Sequence, residues 1–147
     1  MAKSRGFQSS IRSQTNNVMQ TKPIVGIITS ETSALSGRQL LHSVGQRYVD
    51  AVMRFSDVIP TLIPTCLSDG DLKAYIENIH GVLLTGGRAN IEPYHFGGKK
   101  FPKGEIIDPS RDYTALKLIK ESVKLRMPIF GIYRGIQEIN VAYGGTL

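Results

Sequence analysis

From residue 23 onward, short apolar runs alternate with longer stretches of helical periodicity. Ile24-Val25-Gly26-Ile27-Ile28-Thr29 is rich in β-branched residues and predicts a strand buried on both faces. Ser30 to Arg38 is polar and reads as a loop. Val44, Tyr48, Val49, Val52 and Met53 then recur at helical spacing, predicting an amphipathic helix over roughly 40–55. Val58 to Pro64 predicts a second strand, with Pro60 and Pro64 near its ends, where a missing donor does least harm. Ser68-Asp69-Gly70-Asp71 resembles a capping box, and Leu72, Tyr75, Ile76 and Ile79 mark the helix behind it. Gly81-Val82-Leu83-Leu84 predicts a third strand, opening into Thr85-Gly86-Gly87.

Residues 88–110 are rich in glycine, proline and charge, long for a loop without function. Tyr113, Leu116, Ile119 and Val123 restore helical spacing up to Pro128. Ile129 to Ile132 predicts a fourth strand, and Ile136 onward a helix running to Leu147. Alternating strands and helices imply a parallel sheet covered on both faces, with right-handed crossovers. Ligands of such sheets bind beyond the carboxyl ends of the strands. Those ends are Ser30–Glu31, Thr65–Cys66, Thr85–Gly87 and Tyr133–Arg134.

Composition narrows the partners. The 147 residues suffice for one sizeable core, and no apolar run approaches the roughly 20 residues needed to cross a bilayer. Membrane partners are therefore not expected. The single cysteine excludes an internal disulfide and points to a reducing compartment, with the cytoplasm as the default. The net charge of +6 is concentrated at the start: residues 1–22 hold Lys3, Arg5, Arg12 and Lys22 and no acid. This segment reads as a disordered basic leader, and residues 23–147 as the folded domain. It lacks the aromatic interleaving of a single-strand-binding surface, so nucleic acid is not an expected partner.

The densest chemistry lies in residues 128–147. A buried strand, a tight turn bracketed by Gly131 and Gly135, and a helix start together form the elbow that presents a nucleophile at its tip. The glycines provide room where the helix packs back on the strand. The tip should carry a small nucleophile, yet it carries Tyr133. Thr85-Gly86-Gly87, combined with the backbone amide of Arg134, could form an oxyanion hole. The same glycines could equally form a phosphate- or carboxylate-binding turn.

The run Gly131-Ile132-Tyr133-Arg134-Gly135-Ile136-Gln137, followed by Asn140-Val141 and Gly144-Gly145-Thr146-Leu147, resembles the nucleophile segment of class I glutamine amidotransferase-like hydrolases. In particular it resembles the branch that cleaves γ-glutamyl-γ-aminobutyrate. Pro23 to Ile27, Tyr48 to Val52, Leu83 to Gly87 with Pro93 and Tyr94, and Arg111-Asp112 carry the likeness through nearly all of 23–147. The resemblance implies a flavodoxin-like α/β domain and a cysteine hydrolase of γ-glutamyl amides. Such an enzyme works through a thioester, needs no cofactor, and has a small γ-glutamyl compound as its partner. It places Tyr133 where the family has its cysteine. It also puts Gly87 and Arg134 at the oxyanion positions and Gln137 near the glutamyl end of the substrate. Their own placement at the strand ends makes Gly86 and His95 further candidate substrate contacts. The family's histidine and acidic partner fall beyond the Gly-Gly-Thr-Leu segment. The expectation is therefore a C-terminally truncated, catalytically dead domain with an open sheet edge that could drive oligomerisation.

Tyr133 is a poor substitute for a thiol. A phenol with pKa ~10 is ionised to about a thousandth at neutral pH, against ~8.5 for cysteine. Tyrosine nucleophiles need an adjacent base, and the sequence offers none. Cys66, at a strand end, reads as a small part-buried hydrophobe rather than a replacement thiol. His42 falls in a loop on the ligand side with His95, and His80 lies at the opposite edge in a structural role. No histidine has metal-ligand spacing, so no metal site is expected. The alternative to a lost hydrolase is a non-catalytic glutamyl- or carboxylate-binding or protein-interaction module. A dinucleotide-binding sheet is disfavoured, because Thr29 to Gly37 lacks the required glycine triplet.

Overall fold

A computed structural model describes residues 21–147, and the expected basic leader lies, apart from its last two residues, outside them. Four parallel strands form one sheet: β1 (Ile24–Ile28), β4 (Ile59–Ile63), β5 (Gly81–Leu84) and β6 (Ile129–Gly131). Their order is β4-β1-β5-β6, and β2 (Ser30–Ala34) and β3 (Gln39–Ser43) make a separate antiparallel hairpin. The helices are α1 (Gln46–Phe55), α2 (Asp69–Ile76), α3 (Pro109–Lys124) and α4 (Arg134–Ala142), with a 3₁₀ turn at Pro93–His95. The expected α/β architecture, a parallel sheet with helices on both sides, is what the chain forms.

Successive strand residues point to opposite faces, so one face can carry the core while the other is left thinly covered. Ile28, Ile63, Val82 and Leu84 point to one face and bury against Leu72 and Ile76 of α2 and Ala115, Leu118 and Ile119 of α3. On the opposite face the central positions Ile27 and Leu83 are buried too, as expected for strands covered on both sides. The edge strands are not: Leu62 and Phe130 are exposed, Phe130 at 66%. Helix α1 has no buried residue, and its Phe55 is among the most exposed apolar side chains of the molecule.

The expected loop over 30–38 and the helix start at 40 are both corrected. Glu31 pairs with His42 and Ser33 with Leu40 in the β2–β3 ladder, so α1 begins six residues later. The reversal passes through left-handed backbone at Leu35, Ser36 and Gly37. A side chain from far along the chain holds the hairpin in place. The Glu31 amide donates to Asp108 Oδ2 at 3.0 Å, while Asp108 Oδ1 accepts from the Arg111 amide as the cap of α3. The final helix also ends earlier than expected, at Ala142, just before left-handed Gly144.

The N-cap of α2 forms: Ser68 Oγ accepts from the Asp71 amide at 3.2 Å and donates to Asp71 Oδ2 at 2.6 Å. At the first helical position, Asp69 accepts from the Tyr113 hydroxyl and pairs with Lys117, joining α2 to α3. The hydrogen bonds from Lys117 and Tyr113 hold the Asp69 carboxyl below its ordinary value. A depressed acid stabilises the fold above its unfolded pKa and loses that contribution as pH falls through its folded pKa. Asp69→Asn should therefore melt at a temperature closer to wild type at pH ~3 than at pH ~6, measured by circular dichroism. An equal gap at both pH values would show that the pair does not form in solution.

Candidate functional site

The elbow forms as the glycine spacing predicts. A Cβ on Gly131 would lie 2.7 Å from the Gly135 carbonyl carbon, and one on Gly135 would lie 2.2 Å from the Leu84 carbonyl oxygen. No side chain fits at either place, which lets α4 pack directly on the ends of β5 and β6. The Ile132 amide donates to the Leu84 carbonyl at 2.9 Å, and the Gly135 amide closes the turn onto Ile132 at 2.9 Å. Tyr133 is left at the tip with φ 54° and ψ −107°, outside the ordinary left-handed basin. Strain of this kind costs ~1–3 kcal/mol and persists only where its surroundings enforce it. The phenol ring points outward, 74% exposed, and has no hydrogen-bond partner among the described residues.

Gly86 and Gly87 face different neighbours. The Gly86 amide donates to the Tyr48 hydroxyl at 3.1 Å, and a Cβ there would meet that hydroxyl at 2.7 Å and Tyr133 Cβ at 3.4 Å. The spacing places Tyr48 on a helix face, and its polar tip reaches the strand end. A Cβ on Gly87 would press on Arg111 Nη1 at 3.1 Å and Arg134 Cδ at 3.2 Å. The amides of Gly87 and Arg134 have no hydrogen-bond acceptor among the described residues, so both donors remain available at this edge of the sheet.

Beneath the glycines lies a cluster the sequence reading missed. Arg111, Asp112, Arg134 and Glu138 are all buried. Glu138 Oε1 accepts from Arg111 Nε at 2.8 Å and from Arg134 Nε at 2.9 Å. Arg134 continues to Asp112 Oδ1 and to the Ala89 carbonyl. Arg111 continues to the Thr85 carbonyl and to Ser30 Oγ. Burial pushes the Asp112 carboxyl up, and the Glu92 amide and the Arg134 guanidinium pull it back. Arg134 was singled out for its backbone amide, but its side chain ties the elbow to the interior. The i, i+4 spacing of Arg134 and Glu138 was the one legible signal.

The remaining candidates are dispersed. Gly86 lines a cavity of about 450 Å³ at the strand ends with Ser30, Glu31, Thr85 and Arg88. Gln137 lines a cavity of about 320 Å³ with Asn90, Phe96 and Leu147. His95 lines one of about 570 Å³ between α3 and α4, and its Nε2 is 3.9 Å from Asp112 Oδ2. His42 sits in β3, not in a loop, with Nδ1 3.1 Å from Thr65 Oγ1. His80 lies at the opposite edge and accepts from the Ile24 amide. Cys66 is exposed, which corrects the part-buried reading.

Three substitutions separate packing from charge. Gly135→Ala should cost about 3 kcal/mol or more, because its methyl group meets backbone that cannot yield. Gly70→Ala, in the open first turn of α2, should change urea-unfolding stability by less than about 1 kcal/mol. Glu138→Ala leaves two guanidinium groups without their shared carboxylate and should lose about 3–5 kcal/mol in the same assay. A near-neutral Glu138→Ala would show that water or rearrangement satisfies both arginines.

Comparison with known proteins agrees with this geometry. The Peptidase C26 family profile matches residues 23–147. The chain is 30% identical over 132 residues to "Gamma-glutamyl-gamma-aminobutyrate hydrolase" of Escherichia coli O157:H7, covering 89% of this chain and 50% of that protein. It is 33% identical over 129 residues to "Protein NtpR" of Enterococcus hirae, covering 85% of this chain and 52% of that protein. It is 29% identical over 100 residues to a "Putative glutamine amidotransferase" of Mycobacterium tuberculosis, covering 68% of this chain and 32% of that protein. The chain thus spans about half the length of the curated relatives it matches most extensively. The resemblance read from the elbow and the strand ends holds over the whole described domain: this chain belongs to the Peptidase C26 family, within the class I glutamine amidotransferase-like group.

Proposed function

We propose that this chain is a non-hydrolysing member of the γ-glutamyl hydrolase group, one that keeps the substrate-facing frame without the nucleophile. The observation that carries the reading is Tyr133 at a fully formed elbow tip. A γ-glutamyl hydrolase of this kind needs a thiolate at that position, a base to generate it, and amides to hold the oxyanion. The free amides of Gly87 and Arg134 support retention of the third requirement. The phenol removes the first.

The second requirement is not met by the histidines of the chain. There are three in the sequence. His42 is held by Thr65, His80 by the Ile24 amide, and His95 lies beside Asp112. None of these contacts involves Tyr133. Purified protein incubated with γ-glutamyl-γ-aminobutyrate or a chromogenic γ-glutamyl anilide should release no more amine than Tyr133→Ala. Tyr133→Cys in this 147-residue chain should form no productive hydrolase either, because none of its three histidines contacts position 133. Turnover by the wild type above that of Tyr133→Ala, or an acylated Tyr133 found by mass spectrometry, would overturn the reading.

A second reading follows from the cavity of about 450 Å³ at the strand ends. Its lining combines the hydroxyls of Ser30, Thr32, Ser33 and Ser43 with Arg88 and the carboxylates of Glu31 and Asp108, which suits a small ligand bearing both a carboxylate and an ammonium group, held without cleavage. Calorimetry with glutamate, glutamine and γ-glutamyl-γ-aminobutyrate tests it. The expected result is saturable heat with the γ-glutamyl compound that is lost in Arg88→Ala. Absence of heat at millimolar ligand would leave this binding role without support.

A further inference from the structure

Glu92 and His95 flank one turn of 3₁₀ helix that starts at Pro93. Three residues per turn place side chains at i and i+3 one above the other, so the carboxylate and the imidazole face the same way. The His95 amide donates to the Glu92 carbonyl at 3.1 Å, and the Glu92 amide donates to Asp112 Oδ2 at 2.9 Å. These bonds seat the turn directly on the first turn of α3. One ligand atom from each of Glu92, His95 and Asp112 then lies within 4.8 Å of the other two.

One feature distinguishes this group from a chance cluster of acids. His95 Nε2 is buried and has no hydrogen-bond partner among the described residues, although Asp112 Oδ2 is 3.9 Å away. A buried polar nitrogen left unpaired carries a desolvation cost unless something else engages it. Arg111 and Arg134 are matched by Asp112 and Glu138, so neither arginine is left over to engage Glu92 or the His95 ring.

We propose that Glu92, His95 and Asp112 bind one divalent transition-metal ion of the zinc class. One imidazole nitrogen and two carboxylate oxygens suit such an ion, with a fourth position left for water. Two ligand atoms ~2.1 Å from a tetrahedral ion lie ~3.4 Å apart, so the His95–Asp112 gap closes by about half an ångström on binding. The ion satisfies Nε2 and pins the 3₁₀ turn to α3. Its role is to fix the 88–108 segment over the Arg–Glu–Asp cluster, independently of any chemistry at Tyr133. The spacing of histidines in the sequence gave no sign of it, because the third ligand comes from another helix.

Cobalt(II) titration of tag-free, metal-stripped protein tests the proposal through visible d–d absorption. The expected result is one saturable equivalent displaced by zinc, with a melting temperature that rises when zinc is added. His95→Ala should weaken binding by about tenfold or more. Glu92→Gln, at the more exposed ligand, should show the same direction of loss and guards against misfolding of the His95 variant. His42→Ala and Cys66→Ser should bind as the wild type does. Absence of saturable binding up to millimolar cobalt, equal affinity in His95→Ala, or loss of binding in Cys66→Ser would each overturn it.

Discussion

Two guanidinium groups sharing one carboxylate oxygen, wholly out of water, set the terms for everything around them. Glu138 reaches Arg111 and Arg134 from α4, and Asp112 meets Arg134 from α3. Buried charges are tolerated only when geometry and hydrogen bonding are complete, and here the spare donors are used. Arg111 takes the Thr85 carbonyl and Ser30 Oγ, and Arg134 takes the Ala89 carbonyl. The end of β5, the start of the hairpin, the 88–108 segment and both helices therefore converge on one neutral cluster. Gly87 lies on this cluster, where a methyl would press on both arginines.

Most of the sheet was legible because its signal is local. The apolar runs at 24–28, 59–63, 81–84 and 129–131 read as strands without reference to the rest of the chain, and the elbow glycines announce their own packing. The hairpin was not legible, for a physical reason. Its residues include Ser30, Thr32, Ser33, Gln39 and His42, which offer no apolar alternation, and what holds it is Asp108, 77 positions beyond Glu31. The charge cluster was hidden in the same way. Nothing in their spacing along the chain puts Arg111 and Asp112 beside Arg134 and Glu138; only the packing of α3 against α4 does.

Helix α1 shows where periodicity overstates burial. Its apolar residues do lie on one face, as the spacing indicated. Yet Met53 and Phe55 remain exposed, and the edge strand beneath contributes exposed Phe130. An amphipathic pattern reports which face would be buried, not how much apolar surface stands opposite to bury it.

The elbow separates geometry from chemistry. Its strain at Tyr133 is imposed from outside the tip: by Gly131 against Gly135, by Gly135 against the Leu84 carbonyl, and by the Ile132 and Gly135 amides. None of these contacts involves the side chain at position 133. The geometry of the turn is therefore set by the backbone around the tip and not by the side chain it carries. The ring turns outward into water and adds nothing to the contacts that hold the turn. A formed elbow in this chain is thus a property of its glycines and strand ends, and the chemistry of the tip is a separate matter from the packing beneath it.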